Sequence, residues 1–175
     1  MDTITFIETK DAGVQIIING RDLRDIVRTV EQPFATREGS PQIAGAYSGL
    51  PPEVVLLPSH HLMGDPKPVY SDGNGRTQVL ECECGEPGCW PLTVRIDIGS
   101  REVVWRDFHQ PHRGAHSKRA EWRYDAMPQF RFERQSYEHA LSASGRRAEP
   151  GASPNGGPAR RAGNSEPSEG PPSVS

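Results

Sequence analysis

Residues 77–109 read TQVLECECGEPGCWPLTVRIDIGSREVVWRDFH. Their alternation of apolar and polar positions predicts three antiparallel strands, Thr77–Cys84, Leu92–Ile98 and Glu102–Phe108, joined by tight turns. A two-residue turn at Gly99-Ser100 sets Ile98 opposite Arg101, Ile96 opposite Val103 and Val94 opposite Trp105. Leu92 joins this apolar set, while Thr93, Arg95, Asp97, Val104 and Arg106 point the other way, as in a sheet covered on one side.

The first connection carries Cys82, Cys84 and Cys89 in the spacing C-x-C-x4-C. A four-residue loop brings Cys84 opposite Cys89, and the period of two puts Cys82 on the face of Cys84, so three thiols meet at one sheet end. The second hairpin sets Trp90 opposite His109 and carries His112 to the same end. Alternation favours His112 over His109 as a fourth ligand, but Pro111 interrupts the strand and leaves the choice open. With a regular loop the cysteines share a face with Thr93 and Arg95, and a bulge reverses that.

Outward from the meander, Thr3–Glu8 and Val14–Asn19 read as a hairpin around the Gly-containing loop 9–13. Leu23, Ile26, Val27 and Val30 form the apolar stripe of a helix with Asp22 as N-cap and Pro33 beyond its end. Residues 33–75 give little signal beyond a short helix or strand at Glu53–Leu57. Phe130–Phe132 predicts a short strand, and Gln135–Ala143 a closing helix with Tyr137, Ala140 and Leu141 inward. The expectation is one α+β domain over residues 1–143, an N-terminal hairpin plus a three-stranded meander with two or three helices.

From residue 144 the sequence turns to Pro, Gly and Ser, with no aromatic and Val174 as its one aliphatic side chain larger than alanine. Such a segment buries too little apolar surface to offset its ordering entropy, so a disordered tail is expected over 144–175. The pairs Arg146-Arg147 and Arg160-Arg161 are too sparse for a nucleic-acid patch. A net charge of -3 argues against nucleic-acid or anionic-membrane partners. No apolar run approaches the roughly 18 residues of a membrane span, and the first residues do not read as a signal peptide. The expected compartment is the cytoplasm, where an odd number of cysteines stays reduced.

Three thiols and one imidazole suit zinc, which takes four tetrahedral ligands, and glycines at 85 and 88 let the backbone approach a metal. Cys82, Cys84 and Cys89 with His109 or His112 therefore form a candidate structural knuckle. Two other readings stand beside it: reduced cysteines in an ordinary hairpin, and a redox pair of Cys84 and Cys89. His60, His61 and His116 add no catalytic arrangement, although Cys89 with His109 or His112 would serve a metal- or cysteine-dependent enzyme. Asp72-Gly73-Asn74-Gly75 is a turn without the helix a phosphate loop needs. Residues 101–131 mix Arg with Trp105 and Trp122, a composition also found at protein interfaces. Trp105 reads as core because its cross-strand partner is apolar; Trp122 stays open.

The run from Cys82 to Leu92, followed by Val104–Phe108 and by Phe130–Tyr137, resembles a set of small uncharacterised bacterial proteins sharing a C-x-C-G-x-x-G-C-W-P-L motif. The resemblance spans about residues 1–143 and joins the cysteine loop to the Trp105 strand as one unit. It implies no activity or cofactor. The functional expectation is a non-enzymatic module with a zinc knuckle that binds another protein.

Overall fold

The computed structural model describes residues 1–142; the tail expected over 144–175 lies outside the described residues. The architecture is α+β, as the sequence predicts. One antiparallel sheet holds β1 (Ile4–Glu8), β2 (Val14–Ile18) and β3 (Arg21–Asp22) in that order. A second runs β4 (Ser48–Gly49), β5 (Thr77–Glu81), β6 (Leu92–Ile98), β7 (Glu102–His109) and β8 (Phe130–Glu133). The meander is thus the middle of a five-stranded sheet, widened by one strand on each side.

Helix α1 (Leu23–Arg37) starts where Asp22 accepts a 2.7 Å bond from the Arg24 N–H, and it buries Leu23, Ile26 and Val27. It does not stop before Pro33 but runs through it. A proline inside a helix costs roughly 3 kcal/mol. Packing beyond it offsets that cost: Ala35 is buried and Phe34 stacks on Trp122 at 6.4 Å. The short helix α2 (Pro52–Val55) occupies the apolar piece near Glu53. Helix α3 (Arg134–Ser142) closes the described chain with Tyr137 and Leu141 inward.

The β6–β7 register differs from the expected one. Gly99 N–H bonds Glu102 O at 2.9 Å, so the turn residues are Ser100 and Arg101. Ile98 then faces Val103 and Ile96 faces Trp105. Farther along, the register shifts between Arg95–Arg106 and Thr93–His109, so Thr93, not Trp90, stands opposite His109. Asp107, at φ 57°, lies in this bulge. The extra residue turns Asp107 outward to Arg76 (2.8 Å) and Phe108 into the core.

The two sheets meet where Val14 N–H bonds Leu50 O (2.8 Å) and Gly49 N–H bonds Ala12 O (2.9 Å). Only glycine fits at 49, since a Cβ there would lie 2.1 Å from the Val14 carbonyl oxygen. Between the layers, Phe6, Trp105, Phe132 and Tyr137 pack ring on ring. Tyr137 accepts from the Trp105 indole at 3.2 Å and donates to Leu62 O at 2.9 Å, so two polar groups in the core are paired. Among the described residues, no helix is long and apolar enough to cross a membrane.

Candidate metal centre

Strand β5 ends at Glu81, so Cys82 and Cys84 do not lie on it as the strand Thr77–Cys84 supposed. The cysteines sit in the connection 82–91, which folds as two successive turns closed by Gly85 N–H to Cys82 O (3.0 Å) and Cys89 N–H to Glu86 O (3.1 Å). Gly85 and Gly88, at φ 75° and 74°, supply the left-handed conformations that reverse the chain. It is these turns, not cross-strand pairing, that bring Cys84 to Cys89.

All three Sγ atoms lie within 4.8 Å of one another. Tetrahedral zinc with Zn–S near 2.3 Å needs sulfurs about 3.8 Å apart, so the loop need contract by only about 1 Å. The Cys84 N–H lies 3.5 Å from Cys82 Sγ, a donor of the kind that supports a thiolate. Cys84 is drawn below the ordinary thiol range, chiefly by the Glu86 backbone N–H and then by its two cysteine neighbours. Cys89 is pushed up to about 11 by its hydrogen bonds with Cys84 and Cys82. Thiolates are the metal-binding form, so a cation held by these sulfurs displaces their protons.

The two candidate histidines stand differently. His112 lies beside the loop: its Nε2 is 2.8 Å from Gly88 O, where an Nε2–H donates, and its ring stacks on Trp90 at 6.3 Å. Gln110 holds it there by accepting from the His112 N–H at 2.6 Å. His109 ends β7, half-buried, and its ring packs so closely on Gly114 that a Cβ there would be 3.1 Å from its Cε1. Burial lowers the His109 pKa. The three-sulfur group includes neither ring. Of the other histidines, His61 is fully buried, its Nε2 2.8 Å from Gln78 O and its Nδ1 accepting from Lys67 N–H at 3.3 Å.

Trp90, which served the sequence reading only as a register mark, is central here. The Arg113 guanidinium lies 4.8 Å over Trp90 and 5.3 Å over Trp122, and the two indoles meet edge to face at 5.9 Å. Arg113 Nε donates to Glu38 Oε1 (3.2 Å), which also accepts from Trp122 Nε1 (2.7 Å). Trp122, left open by the sequence, is therefore buried. This pillar ties the end of α1, the segment 109–122 and the cysteine loop together. Its one signal in the sequence is a tryptophan directly after Cys89.

Nearby, Glu31 is buried and accepts from Tyr47 (2.6 Å), Tyr124 (2.6 Å) and Gly45 N–H (2.7 Å), pinning the segment after α1. Burial raises its pKa against the opposing pull of those bonds.

Two recesses flank the cysteine loop, and Cys82 and Glu83 line both. One, about 510 Å³, is mainly apolar, formed by Ile43, Ala46, Cys89 and Trp90 with Arg113 and Arg119 at its edge. The other, about 400 Å³, is bounded by Glu8, Asp11, Glu81, Pro51 and Pro52. No family model matches this chain, and neither a curated protein nor a solved structure matches it.

Proposed function

We propose that Cys82, Cys84 and Cys89 hold one zinc ion as a structural knuckle, with His112 as fourth ligand, in a non-enzymatic domain that binds another protein. The observation that carries this reading is the convergence of three sulfurs within 4.8 Å on two glycine turns. His112 is favoured over His109 because its Nε2 already lies 2.8 Å from the carbonyl oxygen of Gly88, the residue next to Cys89. The ligands are free thiols, which suits a reducing compartment such as the cytoplasm. Binding of a partner is supported by the apolar recess beside the knuckle, with Trp90 in its wall and Arg119 exposed at its rim. The rival enzyme reading asks for a Cys89–His contact, whereas the His112 hydrogen bond goes to Gly88.

The test is native mass spectrometry of the tag-free protein and its Cys82→Ser variant, with thermal melting of both. One zinc per chain is expected, lost in the variant together with a lower melting temperature. His112→Ala should retain zinc more weakly, since it removes one of the four ligands a tetrahedral site needs. A chain that takes up no zinc when supplied with it, and whose three thiols all react freely, would overturn the knuckle.

A further inference from the structure

The recess on the β1–β2 side of the knuckle has a chemistry of its own. Its lining carries four carboxylates, Glu8, Asp11, Glu81 and Glu83, against one cation, Lys10. Glu81 differs from the rest: it is 5% exposed, and its Oε2 is buried with no hydrogen-bond partner. Among the described residues, no ion pair neutralises Glu81. A buried carboxylate without a partner is costly, so such a group marks a place where a partner fits. The remaining wall is not acidic. Ala12, Pro51 and Pro52 offer apolar contact, and Gly13 and Gly49 form a floor of bare backbone at the seam of the two sheets. Apolar contacts of this kind beside a nearly buried carboxylate suit a long aliphatic stem ending in a cation.

From this geometry we infer that the recess receives an arginine or lysine side chain of a partner protein, its stem lying on Pro51 and Pro52 and its charged head at Glu81. Arginine fits better than lysine, because its planar fork presents several donors at once to a recess lined by four carboxylates. The inference deepens the partner-binding reading by naming the partner's chemistry, and it does not depend on the metal.

The experiment follows backbone amide shifts of the full-length protein by NMR, titrated with Ac-Gly-Arg-Gly-NH2, Ac-Gly-Lys-Gly-NH2 and Ac-Gly-Gln-Gly-NH2. The arginine probe should shift Ala12, Gly13, Ser48 and Gly49, the lysine probe should do so more weakly, and the glutamine probe should leave them in place. Glu81→Gln keeps the side-chain shape and should weaken the arginine probe by about tenfold or more. Glu8→Gln, at the rim, should weaken it by roughly twofold and serves if the first variant does not fold. Equal binding of the glutamine probe, or undiminished binding by Glu81→Gln, would overturn the assignment. So would magnesium chloride producing the same shifts and displacing the peptide, which would make the recess a divalent-cation site. Zinc content is measured on the same samples. Recess shifts in a chain that takes no zinc would sink the knuckle alone, and a zinc-loaded chain without shifts would sink the recess alone.

Discussion

Replacing Arg113 by methionine removes the centre of the pillar beside the knuckle while keeping an apolar stem of similar length. The Arg113 and Glu38 side chains are 10% and 8% exposed, so the loss leaves Glu38 as a nearly buried charge held by the Trp122 indole and by a 4.0 Å ion pair with the largely exposed Arg119. Breaking one side of such a pair costs about 3–5 kcal/mol. The two indole contacts add about 0.5–1 kcal/mol each where the methionine does not replace them. Against a domain stability of about 5–15 kcal/mol, a total near 4 kcal/mol should lower the melting temperature by roughly 10–20 °C. Urea denaturation followed by tryptophan fluorescence measures it, since Trp90 and Trp122 report directly on the pillar. Glu38→Gln on the Arg113→Met background removes the stranded charge but keeps an acceptor for Trp122. It should therefore return about 1–3 kcal/mol relative to the sum of the single variants. A cost below about 1 kcal/mol for Arg113→Met, or simple additivity in the cycle, would refute the pillar as a support of this end of the sheet.

Two further outcomes are expected. Burial lowers the His61 pKa, so the unfolded chain takes up a proton that the folded chain refuses. Stability should then be full above the unfolded value of about 6.5 and fall as pH drops from there toward the lowered native value. In His61→Gln, whose amide can still donate to Gln78, urea midpoints should vary less across that window, and an unchanged slope would exclude His61 as its source. Gly49→Ala forces a methyl against the Val14 backbone and should cost about 3 kcal/mol or more, whereas Gly20→Ala, with no atom within 4 Å of its Cβ, should cost less. Thermal melts of the two variants check the contrast.

Much of the fold is legible in local periodicity. The β1–β2 hairpin, the stripe Leu23, Ile26 and Val27, the strands β6 and β7 and the inward Tyr137 and Leu141 all follow from spacing. What periodicity misses is set by packing across distance. Pro33 reads as a stop, but the helix continues because Ala35 and Phe34 find a surface near Trp122, far along the chain. The β6–β7 register turns first on whether the chain reverses at Gly99-Ser100 or at Ser100-Arg101 and, beyond Arg106, on where the extra residue Asp107 is accommodated, and alternation alone marks neither. Strands β3 and β4 are two residues each, too short for any period. The three cysteines are visible as a cluster from their spacing. The nearness of His112 depends on Gln110 capping the turn after β7. The Arg113 pillar joins residues 38, 90, 113 and 122, and beyond the tryptophan directly after Cys89 no local pattern announces it.

Cys82 and Glu83 line both recesses, so the loop that would grip an ion is also the partition between them. Thermodynamic reciprocity then binds the three sites together. If seating a ligand in either recess changes the affinity of the sulfurs for metal by some factor, loading the metal changes the affinity for that ligand by the same factor. A coupling of about 1.4 kcal/mol would make each tenfold sensitive to the other. The partition would then let occupancy on one side of the loop be read on the other, without any movement of the sheets.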